Sequence, residues 1–182
     1  MPRICVVGLG PGDPGLVTSA TLTAISEIPH RYLRTTQHPS AHLLPDAQSF
    51  DYLYDSAVTF DEVYAQIAEL LIAAAHQHNT VLYAVPGSPS VLERSVQLLR
   101  QHKDVVVEVF AAVSFLDCSW AALGIDPIDS NVRLIDGHLF AQQTAGDHGP
   151  FLVAHCHANW VLSDIKLAAE SEPANTPVVL LH

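Results

Sequence analysis

Three short turns rich in glycine, proline and serine hold the residues of this sequence best suited to grip a small ligand. The first is Gly8-Leu9-Gly10-Pro11-Gly12-Asp13-Pro14-Gly15, the second Tyr83-Ala84-Val85-Pro86-Gly87-Ser88-Pro89-Ser90-Val91, and the third Ser114-Phe115-Leu116-Asp117. They offer backbone amides, carbonyls and small hydroxyls with few titratable groups, which suits a neutral or zwitterionic, adenosine-like ligand better than acid–base hydrolysis. The spacing in the first turn is neither the G-x-G-x-x-G of dinucleotide sites nor the Gly-Lys-Ser/Thr ending of a P-loop. Pro11 and Pro14 also remove two N–H groups that a phosphate would need. Taken alone, this turn reads either as a ligand loop or as a tight strand-to-helix connection.

Other chemically able residues are weaker candidates. His155-Cys156-His157 has metal-ligand types, but at strand period two the histidines share one face and the cysteine takes the other, so no metal site is expected. Glu62 and Glu69, with Gln66 between them, and Glu170 with Glu172 read as solvated helix faces rather than as a Mg²⁺-dependent pyrophosphohydrolase site. Arg31 and Arg34, beside Tyr32, either bind a substrate anion or pair with Asp51 or Asp55. His38, His42, His76 and His78 fall on loops and helix ends, where histidines are solvated or cap.

The elements that position the turns follow from periodicity. Apolar runs at Arg3 to Leu9, Tyr32 to Arg34, Val81 to Val85 and Val105 to Phe110 predict strands. Apolar residues at helical spacing predict helices over Thr18 to Ile25, Phe60 to Ala75, Val91 to Leu99 and Phe115 to Leu123, the last ending at Gly124. This alternation implies α/β architecture with a mostly parallel sheet, and the three turns then converge at the carboxyl ends of its strands. Asp126 to Asn131 is rich in turn formers and divides an N-terminal α/β domain, 1–126, from a smaller C-terminal α/β part, 127–182. In the latter, strands are expected at Val132 to Ile135, Phe151 to Ala154 and Val178 to Leu181, with a helix over Ala158 to Ala169.

Composition narrows the function classes. The 182 residues are 49% hydrophobic and 15% charged, and 8 Lys+Arg against 19 Asp+Glu leave a net charge of −11. Nucleic-acid binding rests on clustered cations, so this balance argues against it and disfavours polyanionic substrates. No apolar run approaches the roughly 20 residues that span a bilayer. Three widely spaced cysteines, Cys5, Cys118 and Cys156, suit buried reduced thiols in a cytoplasmic protein.

Val6-Val7-Gly8-Leu9-Gly10-Pro11-Gly12-Asp13-Pro14 with Leu16-x-Thr18 resembles the opening motif of the tetrapyrrole methylase family, the class III S-adenosylmethionine-dependent methyltransferases. Tyr32-Leu33-Arg34-Thr35 with His38-Pro39, then Val81 to Pro89, Glu93 to Leu99, Ser114 to Asp117 and Ile125-Asp126-Pro127 resemble one branch of it, the N-terminal methylase-like domain of MazG/YabN-type proteins. The resemblance covers most of residues 3 to 136. It implies a two-domain class III fold, a homodimer, and S-adenosylmethionine held between the two α/β domains. Carried over by position, Leu9, Ser88, Val91, Ser114 and Phe115 match cofactor contacts of the family, and Pro86 and Gly87 shape the second turn.

Two departures accompany the resemblance. Ser88 stands where many active methylases carry Asp, and the chain ends where the family's C-terminal domain continues, which suggests a truncated C-terminal domain. The implied function is methyl transfer to an unknown small acceptor, an in-line displacement that positioning can largely drive without a conspicuous base. No catalytic residue is assigned. The alternative is a catalytically idle ligand-binding or dimerisation module that regulates a fused MazG-type nucleoside triphosphate pyrophosphohydrolase domain beyond this chain. The charge of −11 sets an expectation against polycarboxylate tetrapyrroles as acceptors.

Overall fold

The computed structural model describes residues 1–173 and 175–181. The chain divides into two compact units, Met1–Cys118 and Ser119–His182. The first is built on five strands, β1 (Arg3–Gly8), β2 (Arg31–Leu33), β3 (Gln48–Ser49), β4 (Thr80–Val85) and β5 (Val106–Val109). They lie in the order β3-β2-β4-β1-β5, and every pairing is parallel. Helices α1 (Ser19–Glu27), α2 (Asp51–Ser56), α3 (Phe60–His78) and α4 (Arg94–Leu99) connect them, and α5 (Phe115–Leu123) begins at the end of this unit.

Strands β1 and β4 are buried on both faces, which is why each reads as an unbroken apolar run rather than an alternation. Ile4, Val6, Val81, Tyr83 and Val85 enter one core with α2, α3 and α4, while Val7, Leu82 and Ala84 enter a second beneath α1. Helix α3 follows from its sequence with little ambiguity. Thr59 caps its first turn by accepting from the Glu62 N–H, Asp61 and Glu62 sit at the positive end, and His76 and His78 at the negative end. Val63, Ile67, Ala68, Leu71, Ala74 and Ala75 form its buried stripe. Each larger member contributes about 1.5–3 kcal/mol by leaving water. The helix passes the expected Ala75 and stops at Asn79, whose φ of +66° ends the helical path.

The second unit pairs β6 (Arg133–Asp136) in parallel with β7 (Phe151–Ala154), with α6 (Phe140–Gln143) and α7 (Asn159–Ala168) beside them. Ile135 and Val161 are its most deeply buried apolar side chains.

Several sequence expectations need correction. No strand forms over Val178 to Leu181; the described residues there are irregular and exposed, because an apolar run without a partner strand has nothing to satisfy its backbone. His182 lies outside the described residues. Helix α4 starts at Arg94 rather than Val91, since Leu92 adopts φ +54° and breaks the helical path. The short β3, α2 and α6 had no periodic signal long enough to show. Of the cysteines only Cys5 is buried; Cys118 is exposed and Cys156 half-buried, and none is paired. Among the described residues, no helix is long and apolar enough to cross a membrane.

Candidate functional site

Helix α1 follows β1 onto one face of the sheet, whereas α4 follows the adjacent β4 onto the other. Chain connections that leave neighbouring strands in opposite directions open a crevice between them, and open α/β folds bind ligands there. The first two turns meet at that point. Gly10 and Gly87 form an antiparallel bridge, with the Gly10 N–H donating to the Gly87 carbonyl at 3.2 Å and the Gly87 N–H to the Gly10 carbonyl at 2.8 Å. Gly8 shows how closely the surrounding segments approach. A Cβ on it would lie 2.3 Å from the Gly87 oxygen, 2.6 Å from the Ala112 Cβ and 2.8 Å from the Pro89 Cδ, so only glycine fits beneath all three segments.

Local hydrogen bonds fix each turn. Asp13 accepts from the Gly15 N–H at 2.7 Å, and Thr18 caps α1 by accepting from the Thr21 N–H. The Thr21 hydroxyl donates to the Gly8 carbonyl. His38 reaches the first turn from the loop after β2. Its Nδ1 accepts from the Ser40 N–H, so Nε2 carries the proton and donates to the Gly10 carbonyl at 3.0 Å. Burial holds the His38 pKa below the ordinary histidine value, with the Gly10 hydrogen bond opposing it. In the second turn the Val91 N–H donates to the Ser88 carbonyl. In the third, the Ser114 N–H donates to Asp117 Oδ2 and the Ser114 hydroxyl accepts from the Leu116 N–H.

The predicted contact residues take different positions on this frame. The Leu9 side chain is fully buried beneath α1, so any contact it makes to a ligand is through its backbone. Ser88 and Ser114 are buried, and Pro86, Gly87, Val91 and Phe115 are half-buried. Gly87 has φ +66° and no atom within 4 Å of where a Cβ would lie, leaving bare backbone open to an incoming group. A separate groove of about 640 Å³ lies between α1 and the β1–β5 side of the sheet, lined by Arg3, Cys5, Thr23, Glu27, Glu108 and Phe110, and includes none of the predicted contact residues. Burial, with Arg3 opposing, pushes the Cys5 thiol up to about 11.

Beside the crevice is a polar cluster that the sequence reading did not assemble. Arg34 follows β2, and its Nη1 donates to Glu93 Oε2 at 2.6 Å while its Nε donates to the Tyr54 hydroxyl at 3.1 Å. The guanidinium lies 5.5 Å from the centre of the Tyr64 ring. Glu93 is almost fully buried; its Oε1 accepts from the Ser95 hydroxyl, which also pairs with the Tyr83 hydroxyl. Burial alone would lower the Arg34 pKa, but Glu93 and Tyr54 outweigh it and hold the guanidinium charged. Burial raises the pKa values of Tyr83 and Tyr64 above the phenol range.

Of the two readings left open for the arginines, a substrate anion or pairs with Asp51 or Asp55, the contacts change the second. Arg34 pairs with Glu93, Arg31 donates to the Ile28 carbonyl, and Asp51 accepts instead from Thr36 and Ser49. The available signal was the Glu93-x-Ser95 spacing just after the second turn, which places two polar side chains inward. Glu62 and Glu69 lie on the exposed face of α3, as expected of a solvated helix face.

The fold defines a protein of doubly wound α/β type whose glycine-containing turns meet at its strand ends. The chain matches the family model of Tetrapyrrole (Corrin/Porphyrin) Methylases over residues 3–181 and belongs to that family. It is 35% identical over 187 residues to "Uncharacterized protein YabN" of Bacillus subtilis (strain 168), covering 98% of this chain and 38% of that protein. It is 28% identical over 196 residues to the chloroplastic S-adenosyl-L-methionine-dependent uroporphyrinogen III methyltransferase of Arabidopsis thaliana, covering 98% and 53%. The chain therefore spans about half or less of the length of these curated relatives.

Structures of uroporphyrin-III C-methyltransferase from Thermus thermophilus share the fold. The native form superposes with a TM-score of 0.62 at 22% identity, covering 91% of this chain and 76% of that one. The complex with S-adenosyl homocysteine gives 0.55 at 27% identity, covering 74% and 59%. The expected class III methyltransferase-like α/β fold is the one observed.

Proposed function

We propose that this chain binds S-adenosylmethionine at the β1–β4 crevice and directs transfer of its methyl group to a small acceptor. The observation that carries this reading is the Gly10–Gly87 bridge, which joins two glycine-containing turns at the point where the chain leaves adjacent strands in opposite directions. The residues present suit the ligand. The Cα face of Gly87 lies open while its N–H and carbonyl are held by Gly10, Ser88 and Ser114 supply hydroxyls, and Leu9 contributes only backbone. Family membership and the S-adenosyl homocysteine complex of a 27% identical structure support the same ligand class.

The bound sulfonium would supply an activated methyl group; the protein's task is to orient the acceptor and exclude water. Arg34, Tyr54 and Tyr64 form the acceptor side of this reading. Because Arg34 is already neutralised by Glu93, the cluster offers hydrogen bonds and aromatic faces without a free cation. With the net charge of −11, this favours a neutral or cationic acceptor over a polycarboxylate tetrapyrrole. We also propose, from the family resemblance, a homodimer, and a cytoplasmic location, which the unpaired cysteines fit.

Titration calorimetry with S-adenosylmethionine and S-adenosyl homocysteine tests the ligand. Binding that weakens at least about tenfold in Gly87→Val supports the site, since a branched side chain strains φ +66° and fills the open space. No heat at millimolar ligand overturns it. A second reading draws on Ser88 in the place of an acidic residue and on the greater length of the 35% identical relative. In it the domain binds the same ligand without transfer and regulates a fused MazG-type pyrophosphohydrolase. Binding with no labelled methyl appearing in any offered acceptor would favour that reading.

A further inference from the structure

We propose that the second unit carries a binding site for a divalent transition-metal ion of the Zn²⁺ class, formed by Asp136, His138 and His155 with His157 beside them. Asp136 is the last residue of β6 and is paired in register with Ala154, the last residue of β7, so the residues that follow these strands emerge side by side. His155 is next in the chain at φ +60°, a left-handed conformation uncommon for a residue with a side chain. Gly137 permits the close approach. A Cβ there would lie 2.8 Å from the Ala154 oxygen and 3.0 Å from the Val161 Cγ1, so any larger residue would push the His138 turn away from the end of β7.

The resulting geometry is that of a ligand set. Asp136 Oδ1 lies 3.0 Å from His138 Nδ1, and Asp136 Oδ2 lies 3.2 Å from His155 Nδ1. One ligand atom from each of the three residues falls within 4.8 Å of the others. Ligand atoms about 2.0–2.1 Å from a tetrahedral ion stand about 3.3–3.4 Å apart; the two histidine contacts, one to each Asp136 oxygen, are near that spacing, and the set closes inward from within 4.8 Å when an ion binds. The His157 ring centre is 5.5 Å from that of His138 and 6.3 Å from that of His155. Imidazoles sharing one tetrahedral ion have centres about 5–5.5 Å apart, so His157 flanks the three gathered ligands without being one of them.

The side chains are half-exposed, so an ion can reach them. Without metal, each Nδ1–H donates to the carboxylate; on binding, each ring stays neutral by carrying its proton on Nε2 and offers Nδ1 to the ion. Two imidazoles and a carboxylate favour Zn²⁺, Co²⁺ or Ni²⁺ over Mg²⁺ or Ca²⁺, which prefer all-oxygen sets. Cys156 stays outside: its thiol points back to the Val153 and Ala154 carbonyls. The period-two argument against a metal fails because β7 ends at Ala154, leaving the histidines on a turn, and because the missing ligands come from the neighbouring strand.

Trp160 gives a built-in reporter, its ring centre 5.3 Å from that of His138. The experiment is a titration of the full chain with Co²⁺, read by visible absorption and by quenching of tryptophan fluorescence, and with Zn²⁺ by calorimetry. One equivalent should bind, and His138→Gln and His155→Asn should each weaken binding at least about tenfold. His76→Ala and His148→Ala, which alter histidines outside the cluster, should change it less than about twofold. Far-UV circular dichroism confirms that each variant is folded. Absence of binding at about 100 μM metal, or binding unaffected by the cluster variants, overturns the proposal.

Discussion

Arg34 and Glu93 form a partly buried ion pair whose two ends are unequal, and that inequality makes a prediction. The Glu93 side chain is 2% exposed and that of Arg34 23%. Replacing Arg34 by Met strands a carboxylate with little access to water, while replacing Glu93 by Gln leaves a guanidinium that can still reach solvent and retains the Tyr54 hydrogen bond. Breaking one side of a buried pair costs about 3–5 kcal/mol when the remaining charge is fully enclosed. Arg34→Met should therefore cost about 3–4 kcal/mol, and Glu93→Gln about 2 kcal/mol after allowing for the partial exposure of Arg34. The double variant leaves no stranded charge and should fall short of the sum by about 2 kcal/mol.

Urea unfolding of the four proteins at neutral pH completes the cycle. With a slope of about 1.5–2 kcal/mol/M, Arg34→Met should lower the midpoint by about 2 M. Both tryptophans, Trp120 and Trp160, belong to the second unit, so their fluorescence would follow the wrong transition. Far-UV circular dichroism follows the first unit through the long α3. Equal losses in the two single variants, or additivity within about 0.5 kcal/mol, would refute the argument that burial strands the surviving charge.

Two further predictions concern the crevice. Gly8→Ala should destabilise the first unit by about 1–3 kcal/mol and weaken S-adenosylmethionine binding, because its Cβ meets a backbone oxygen at 2.3 Å that cannot rotate away; calorimetry and urea unfolding would show both, and unchanged affinity would contradict the convergence of the turns. His38 is held neutral by burial, so its folded pKa is lowered and the unfolded chain takes up the proton more readily. Its stabilisation is present above about pH 6.5 and is lost as pH falls through the folded value. The stability gap between the wild type and His38→Ala should accordingly narrow from pH 7 to pH 5 in urea midpoints; a constant gap would count against this account.

The strands and long helices of the first unit were legible because β1 and β4, buried on both faces, read as unbroken apolar runs, and α3 is buried along the stripe its periodicity marks. The convergence of the turns followed from strand alternation alone. What local pattern could not show was long-range pairing. Arg34 and Glu93 stand 59 residues apart, and Asp136 and His155 are joined by strand register across 19. Local sequence offers Arg34 a substrate anion or Asp51 and Asp55 as partners, but Asp51 is committed to Thr36 and Ser49, whose hydrogen bonds overcome the effect of its own burial and hold its carboxyl well below the usual range. Val178 to Leu181 shows the reverse failure: an apolar run states that a segment favours burial without stating that a partner is present.

The same distinction bears on the acceptor. Net charge alone disfavours a polyanion, but a local cluster of cations could override a distant negative field within a Debye length of about 8 Å. If Arg34 lines the acceptor side as proposed, its contacts work against that route, because its charge is spent on Glu93 and its remaining reach is taken by Tyr54 and Tyr64. An anionic acceptor would have to break the Arg34–Glu93 pair or leave Glu93 facing it, and either raises the cost of binding by the same few kcal/mol that the ion-pair cycle measures. Under the proposed function, selectivity at this crevice and stability of its wall would then be two readouts of one buried interaction.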